Sequence, residues 1–118
     1  MFDISVVLPI YNEGAGISLL FDKLHAALKQ FNYEIIAVND GSKDNSWEEL
    51  RKVAEQNKNT RIINLKRNYG QTAAINAGIQ HATGDIIILI DSDLENDPAD
   101  IPKLLDKMKE GYDVVSGW

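Results

Sequence analysis

The chain has 118 residues, 44% hydrophobic and 25% charged, which are the numbers of one folded domain with one core rather than of a multidomain enzyme or a disordered tail. Twelve Lys and Arg stand against 18 Asp and Glu, and six of the acids (Asp85, Asp91, Asp93, Glu95, Asp97, Asp100) fall within residues 85–100 without a base, so the net charge of −6 is a local feature. With no cysteine, a disulfide scaffold, a thiolate metal site and a thiol nucleophile are excluded. With only His25 and His81, an imidazole zinc site is not expected, and both read as surface residues. The absence of a clustered basic face argues against a nucleic-acid partner. The longest aliphatic run, Ile86–Ile90, is five residues, where a membrane helix needs roughly 20. Neither a basic flank nor a long apolar stretch marks a signal peptide at the N-terminus, so a cytoplasmic setting is expected.

Short aliphatic runs alternate with helical patterns along the chain. Ile4–Pro9 reads as the first strand. Ile17, Leu20, Phe21, Leu24, Leu28 and Phe31 then recur at helical spacing and define one apolar face. Tyr33–Asn39 is a second strand. Ser46 and Glu49 have the spacing of a capping box opening a second helix, with Trp47, Leu50 and Ala54 turned inward. Arg61–Leu65 is a third strand, and the Ala-rich stretch Gly70–Ala82 suits a helix lying close on a sheet. Asp85–Asp91 is the fourth strand. Asp97-Pro98-Ala99-Asp100 starts another helix, continued by Ile101, Leu104, Leu105 and Met108 and closed by Gly111. Asp113–Ser116 is the last strand. Near-continuous apolar strands separated by amphipathic helices predict a mostly parallel α/β sheet covered on both faces. Sheets of this kind take ligands beyond the carboxyl ends of their strands, so the residues at those ends are the candidates for function.

Four strand ends carry polar chemistry. Asp91-Ser92-Asp93 ends the most hydrophobic strand, and two carboxylates spaced i, i+2 suit one hard cation, Mg²⁺ or Mn²⁺. Glu95 is either a further ligand or solvent-exposed. Asp97 and Asp100 are accounted for as helix-start residues. Asn39-Asp40-Gly41-Ser42-Lys43-Asp44 is a turn by composition, with Asp44 available to cap a helix and Asp40 available to a base or ribose. Tyr11-Asn12-Glu13-Gly14-Ala15-Gly16 holds part of a dinucleotide glycine pattern, but Leu19 occupies the third glycine position and Pro9 to Glu13 intervene. Lys66-Arg67 ends the third strand just ahead of a helix start, where a guanidinium suits phosphate or stands as an ordinary exposed base.

Taken together these segments resemble family-2 glycosyltransferases of the Rossmann-like GT-A fold. Val6-Val7-Leu8-Pro9-Ile10-Tyr11-Asn12-Glu13 is similar to the family's opening strand and loop. Val38-Asn39-Asp40-Gly41-Ser42-Lys43-Asp44 is similar to its Asp-Asp-Gly-Ser-x-Asp motif, with Asn39 in place of the first acid. Asn76-Ala77-Gly78 falls in its central helix, and Asp91-Ser92-Asp93 is similar to its DXD metal motif. Within the family, Arg67-Asn68-Tyr69-Gly70-Gln71 and Asp91-Ser92-Asp93-Leu94-Glu95-Asn96-Asp97-Pro98 look like the polyisoprenyl-phosphate, dolichol-phosphate mannose synthase-like branch. Glu95 stands where that branch usually has Gln.

The resemblance implies an inverting transfer from a UDP- or GDP-linked sugar to a polyisoprenyl phosphate or cell-envelope glycan. It implies nucleotide-sugar binding by Pro9, Tyr11, Asn12, Glu13, Asp40, Arg67, Gly70, Asp91, Ser92 and Asp93, with Mg²⁺ or Mn²⁺ on Asp91, Asp93 and Glu95. Residues 1–118 then read as one nucleotide-sugar-binding domain, the N-terminal portion of a longer transferase at the cytoplasmic face of a membrane. Its general base, and any membrane contact, would lie beyond Trp118. Nucleotide and metal binding without substantial turnover is expected of this stretch alone, and a homo-oligomer is compatible with it. Two other classes share the architecture: a dinucleotide-binding Rossmann module and a receiver-like signalling domain. A receiver needs acids after the first strand, a phosphoacceptor after the third and a Lys after the fifth, where this chain has Pro9-Ile10-Tyr11, Lys66-Arg67 and Ser116-Gly117.

Overall fold

The structure, a computed structural model, describes residues 2–90 and the strand Val114–Ser116. The expected helix from Asp97, the acidic segment 91–97 and the turn at Gly111 lie outside the described residues.

Five strands, β1 (Ile4–Ile10), β2 (Tyr33–Asn39), β3 (Thr60–Asn64), β4 (Ile86–Leu89) and β5 (Val114–Ser116), form one sheet in the order β3-β2-β1-β4-β5. Every neighbouring pair is parallel. Among the described residues three α-helices connect β1 to β4: α1 (Ile17–Leu28), α2 (Ser46–Gln56) and α3 (Gln71–His81). The predicted α/β sheet is thus borne out, with strand ends moved by one or two residues and Phe31, expected on the face of the first helix, lying three residues past its end. The order separates it from a receiver, whose flavodoxin-like sheet runs 2-1-3-4-5.

Side-chain alternation on the strands builds two layers. Val6, Leu8 and Ile10 of β1, Ile35 and Ala37 of β2, and Ile88 of β4 pack with Ile17, Leu20, Phe21, Leu24 and Leu28 of α1 and Leu50 and Val53 of α2. The opposite face carries Ile36 and Val38 against Ala74 and Ala77 of α3. Consecutive crossovers stepping the same way across the sheet, β1 to β2 to β3, leave their helices on one face. The return step from β3 to β4 puts α3 on the other. Small side chains on α3 let it lie close, and a Cβ at Gly78 would stand 2.4 Å from Val7 Cγ1.

The second helix differs from expectation. Val53, not Ala54, is the inward residue beside Leu50, and Ser46 does not serve as N-cap. Its hydroxyl accepts the Glu13 amide at 3.0 Å and donates to Asp44 Oδ1 at 2.5 Å. The N-cap is Asn45, which makes no side-chain capping bond. Asp44 Oδ1 accepts the Ser46 amide at 2.9 Å from just outside the helix, and Glu49 pairs with Lys52 at 2.8 Å. His25 is half-buried rather than on the surface: Nδ1 meets the Tyr33 hydroxyl, and its ring leans on Phe21.

Candidate functional site

β1 sits at the centre of the order, where the direction of winding reverses, and the crevice of such a sheet opens at the carboxyl end between the two strands flanking that reversal, here β1 and β4. Pro9 sets where it opens. The Ile90 amide donates to the Val7 carbonyl at 3.1 Å, so Val7 presents its backbone to β4, and Pro9, two residues on, faces the same way. Having no N–H, Pro9 cannot continue that ladder. The β1–β4 register accordingly runs only to Val7↔Leu89, while β1–β2 continues to Ile10↔Asn39. Asp91, the first residue of the DXD segment, is joined directly to Ile90.

On the β2 side, the loops after β1 and β2 are stapled together. The Asn12 amide donates to Ser42 Oγ at 2.9 Å, the Lys43 amide donates to Asn12 Oδ1 at 2.8 Å, and the Gly14 amide donates to Asp44 Oδ2 at 3.1 Å. Asn12 adopts φ 53 to reach both partners, a left-handed conformation that Asn tolerates better than most residues. Burial pushes the Asp44 carboxyl up, but hydrogen bonds from Ser46 and Gly14 outweigh it and hold it below its ordinary value. Gly14 and Gly16 form a 3-10 turn in which Asn45 fills the place a Gly14 Cβ would take. The glycine pattern therefore serves loop packing, and no glycine turn closes directly on β1 as a dinucleotide pyrophosphate site requires.

The next strand end is equally committed. Asp40 is 3% exposed, and its carboxylate accepts the Tyr69 amide at 2.8 Å and the Gly70 amide at 3.1 Å. Asn39, also buried, donates to Asn64 Oδ1 at 2.9 Å across β2 and β3. Gly70 caps α3, and Arg67 lies 5.8 Å from the centroid of the exposed Tyr69 ring. Tyr11 is likewise exposed, at 42%.

Of the residues expected at the site, the fold gathers Pro9, Tyr11, Asn12, Glu13, Asp40, Arg67 and Gly70 at one edge. Asp91, Ser92, Asp93 and Glu95 lie outside the described residues, and among the described residues no group of three His, Asp or Glu side chains suits a metal. Tyr69 was not singled out by the residue pattern, although it stands inside the Arg-Asn-Tyr-Gly segment. No helix among the described residues is long and apolar enough to cross a membrane.

Solved structures share this architecture. A glucosyl-3-phosphoglycerate synthase from Mycobacterium tuberculosis, in complex with Mn²⁺, UDP and glucosyl-3-phosphoglycerate, superposes with a TM-score of 0.72 at 26% identity, over 91% of this chain and 39% of that one. The mannosyltransferase PcManGT from Pyrobaculum calidifontis, in complex with GDP-Man and Mn²⁺, does so with a TM-score of 0.74 at 24% identity, over 84% of this chain and 30% of that one. The fold is thus the GT-A fold of nucleotide-sugar glycosyltransferases. The sequence profile of Glycosyl transferase family 2 matches residues 5–118, and the chain belongs to that family. Among curated relatives, the undecaprenyl-phosphate 4-deoxy-4-formamido-L-arabinose transferase of Photorhabdus laumondii is 50% identical over 115 residues, and that of Serratia proteamaculans 48%. The match covers 95% of this chain and 35% of each of those proteins, so the chain spans about a third of their length.

Proposed function

We propose that this chain is the nucleotide-sugar-binding part of an inverting glycosyltransferase that acts on a UDP- or GDP-linked sugar and delivers the sugar to a polyisoprenyl phosphate at the cytoplasmic face of a membrane. The observation that carries the reading is the end of the β1–β4 ladder at Val7↔Leu89, just short of Pro9, with Asp91-Ser92-Asp93 following directly on Ile90 in the chain. The relatives named for undecaprenyl-phosphate transfer support the acceptor class.

In this reading Tyr11, Asn12, Glu13 and the 66–70 turn line the nucleotide side of the crevice. Asp91 and Asp93, joined by Glu95, offer hard oxygen donors, which fit Mg²⁺ or Mn²⁺ and do not fit a soft metal. A cation held there supplies Lewis-acid stabilisation of the charge that builds on the departing diphosphate. The acceptor oxygen forms its bond to the anomeric carbon as the bond to the diphosphate breaks, and the electron pair leaves with the nucleoside diphosphate. The residues of this chain bind and orient the donor, and none is assigned as a base.

Calorimetric titration of UDP, GDP and their sugars, with and without Mn²⁺, tests this. Metal-dependent binding that Asp93→Ala abolishes is the expected result. Binding of the same strength in that variant would remove the metal site from this segment.

A further inference from the structure

β4 is an aliphatic run that does not specify its own register. It pairs with β1 over four positions, Ile4↔Ile86 to Val7↔Leu89, and Ile86, Ile87, Ile88, Leu89 and Ile90 are alike in size and polarity. A strand that slides by two residues keeps every side chain on its face, and here it would exchange one aliphatic residue for another. β1 and β2, by contrast, are paired over seven positions, Ile4↔Tyr33 to Ile10↔Asn39. A set of polar contacts just ahead of β4 ties it to that frame. The Gly84 amide donates to Ser5 Oγ at 2.8 Å, and Ser5 Oγ donates to Glu34 Oε2 at 2.6 Å. The same oxygen accepts the amide and the hydroxyl of Thr83, both at 2.8 Å. Ser5 and Glu34 are fully buried and stand opposite each other on β1 and β2. Gly84 lies directly on backbone, where a Cβ would stand 2.7 Å from Ile4 C and Ser5 N. A slide of two residues would bring Ala82 or Ile86 to that contact, and both carry a Cβ.

We propose that Ser5, Glu34, Thr83 and Gly84 form a register lock, and that through it Ser5 and Glu34 are positioning residues for the metal ligands that follow the far end of β4. The lock sets the Ile86 amide on the Asp3 carbonyl at 3.0 Å and the Ile90 amide on the Val7 carbonyl at 3.1 Å. Asp91 is the next residue in the chain. The proposal rests on the reading of Asp91 and Asp93 as metal ligands given above. A slide of two residues moves the end of the strand by about 7 Å. That is more than twice a metal–oxygen distance of about 2.0–2.6 Å, so the register of β4 decides whether the carboxylates can meet a cation on the diphosphate.

Two isoleucines inserted between Ile87 and Ile88 preserve the side-chain alternation and test which end sets the register. With the lock in command, Ile86 stays on Asp3, and the Ile88 amide, now four residues after Ile86, takes the Val7 carbonyl. Through-hydrogen-bond coupling in NMR spectra reads this exchange of partners. The Mn²⁺-dependent part of UDP binding should then fall at least about tenfold with metal-free UDP affinity unchanged. An Ile90 amide still coupled to Val7 in the inserted chain would overturn the proposal. Ser5→Ala, which removes the acceptor of Gly84 and one donor to Glu34, should raise the half-saturating Mn²⁺ concentration for UDP binding by about tenfold, the scale of one lost charged hydrogen bond. An unchanged Mn²⁺ requirement, or an equal loss of metal-free affinity, counts against it. In the unsubstituted protein the Thr83 and Gly84 amides should exchange with solvent as slowly as those of Ile86 and Ile90, because lock and ladder open together. Free exchange at Thr83 and Gly84 refutes the lock whether or not the variants fold. If the unsubstituted protein shows no metal-dependent nucleotide binding, the metal reading falls, while the coupling and the exchange rates still judge the lock.

Discussion

Replacing Glu34 with Gln tests how the base of the sheet is tied together. Glu34 lies on β2, fully buried, at the end opposite the functional edge. Its Oε2 accepts Ser5 Oγ at 2.6 Å and both the amide and the hydroxyl of Thr83 at 2.8 Å. Ser5 Oγ in turn accepts the Gly84 amide at 2.8 Å, and Arg61 Nε stands 3.7 Å from Oε1. One carboxylate thereby joins β1, β2 and the segment leading into β4. Burial pushes this carboxyl up, but the hydrogen bonds from Ser5 and Thr83 and the Arg61 guanidinium outweigh it, so it titrates below its ordinary 4.5. Glutamine retains one acceptor oxygen, weakens three charged hydrogen bonds to neutral ones and points an NH₂ at the guanidinium. The cost is about 2–3 kcal/mol, and Glu34→Ala, which strands the Ser5 hydroxyl and the Thr83 amide, costs about 4 kcal/mol. At roughly 4 °C per kcal/mol for a domain of this size, Glu34→Gln lowers Tm by about 8–12 °C.

The pH dependence has a definite sign. A carboxylate whose folded pKa is depressed contributes stability that is complete above its unfolded pKa and is lost as pH falls through the folded value. Urea unfolding of both proteins between pH 7 and pH 3 should show a gap that is widest near neutrality and closes below pH 4.5. A gap that does not vary with pH, or one under about 1 kcal/mol at pH 7, would show that the network does not hold the sheet.

Two other substitutions probe packing and titration. Gly78→Ala brings a methyl to 2.4 Å from Val7 Cγ1, and overpacking of about 1–3 kcal/mol should exceed the gain of about 1 kcal/mol in helix propensity. Denaturant unfolding should therefore show net destabilisation, restored by Val7→Ala in the same chain. At His25, burial pushes the imidazole below its ordinary 6.5 and Asp22 only partly offsets this. The unfolded chain then binds the proton more readily, stability should decline as pH drops below 6.5, and His25→Phe should lack that decline in thermal melts at pH 7.5 and 5.5.

Much of the architecture is readable along the chain because the signals are local. Five apolar runs and the 3.6-residue recurrence of Ile17, Leu20, Phe21, Leu24 and Leu28 specify strands and helix, and all five of those helix residues are buried. The site was readable as a set of strand ends, because a parallel sheet places its ligand chemistry there. What misled the reading was local pattern that a distant group overrides. Ser46 and Glu49 have capping-box spacing, yet Asn45 is the N-cap and the Glu13 amide, 33 residues away, engages the Ser46 hydroxyl. Glu34 beside Tyr33 looks like a charged residue entering a strand, and nothing near it signals a buried acid whose partners are 29 and 49 residues distant.

By itself the sequence determined the α/β alternation, the family and the polar segments that cluster where strands end, since periodicity and motif spacing are properties of neighbouring residues. Only the tertiary structure decided that the β1–β4 ladder ends before Pro9, that Asn12 and Gly14 are tied to Ser42, Lys43 and Asp44, and that Asp40 faces the amides of Tyr69 and Gly70. Strand order and register set those pairings, and a carboxylate or a missing N–H acquires its role from whichever backbone the fold brings against it.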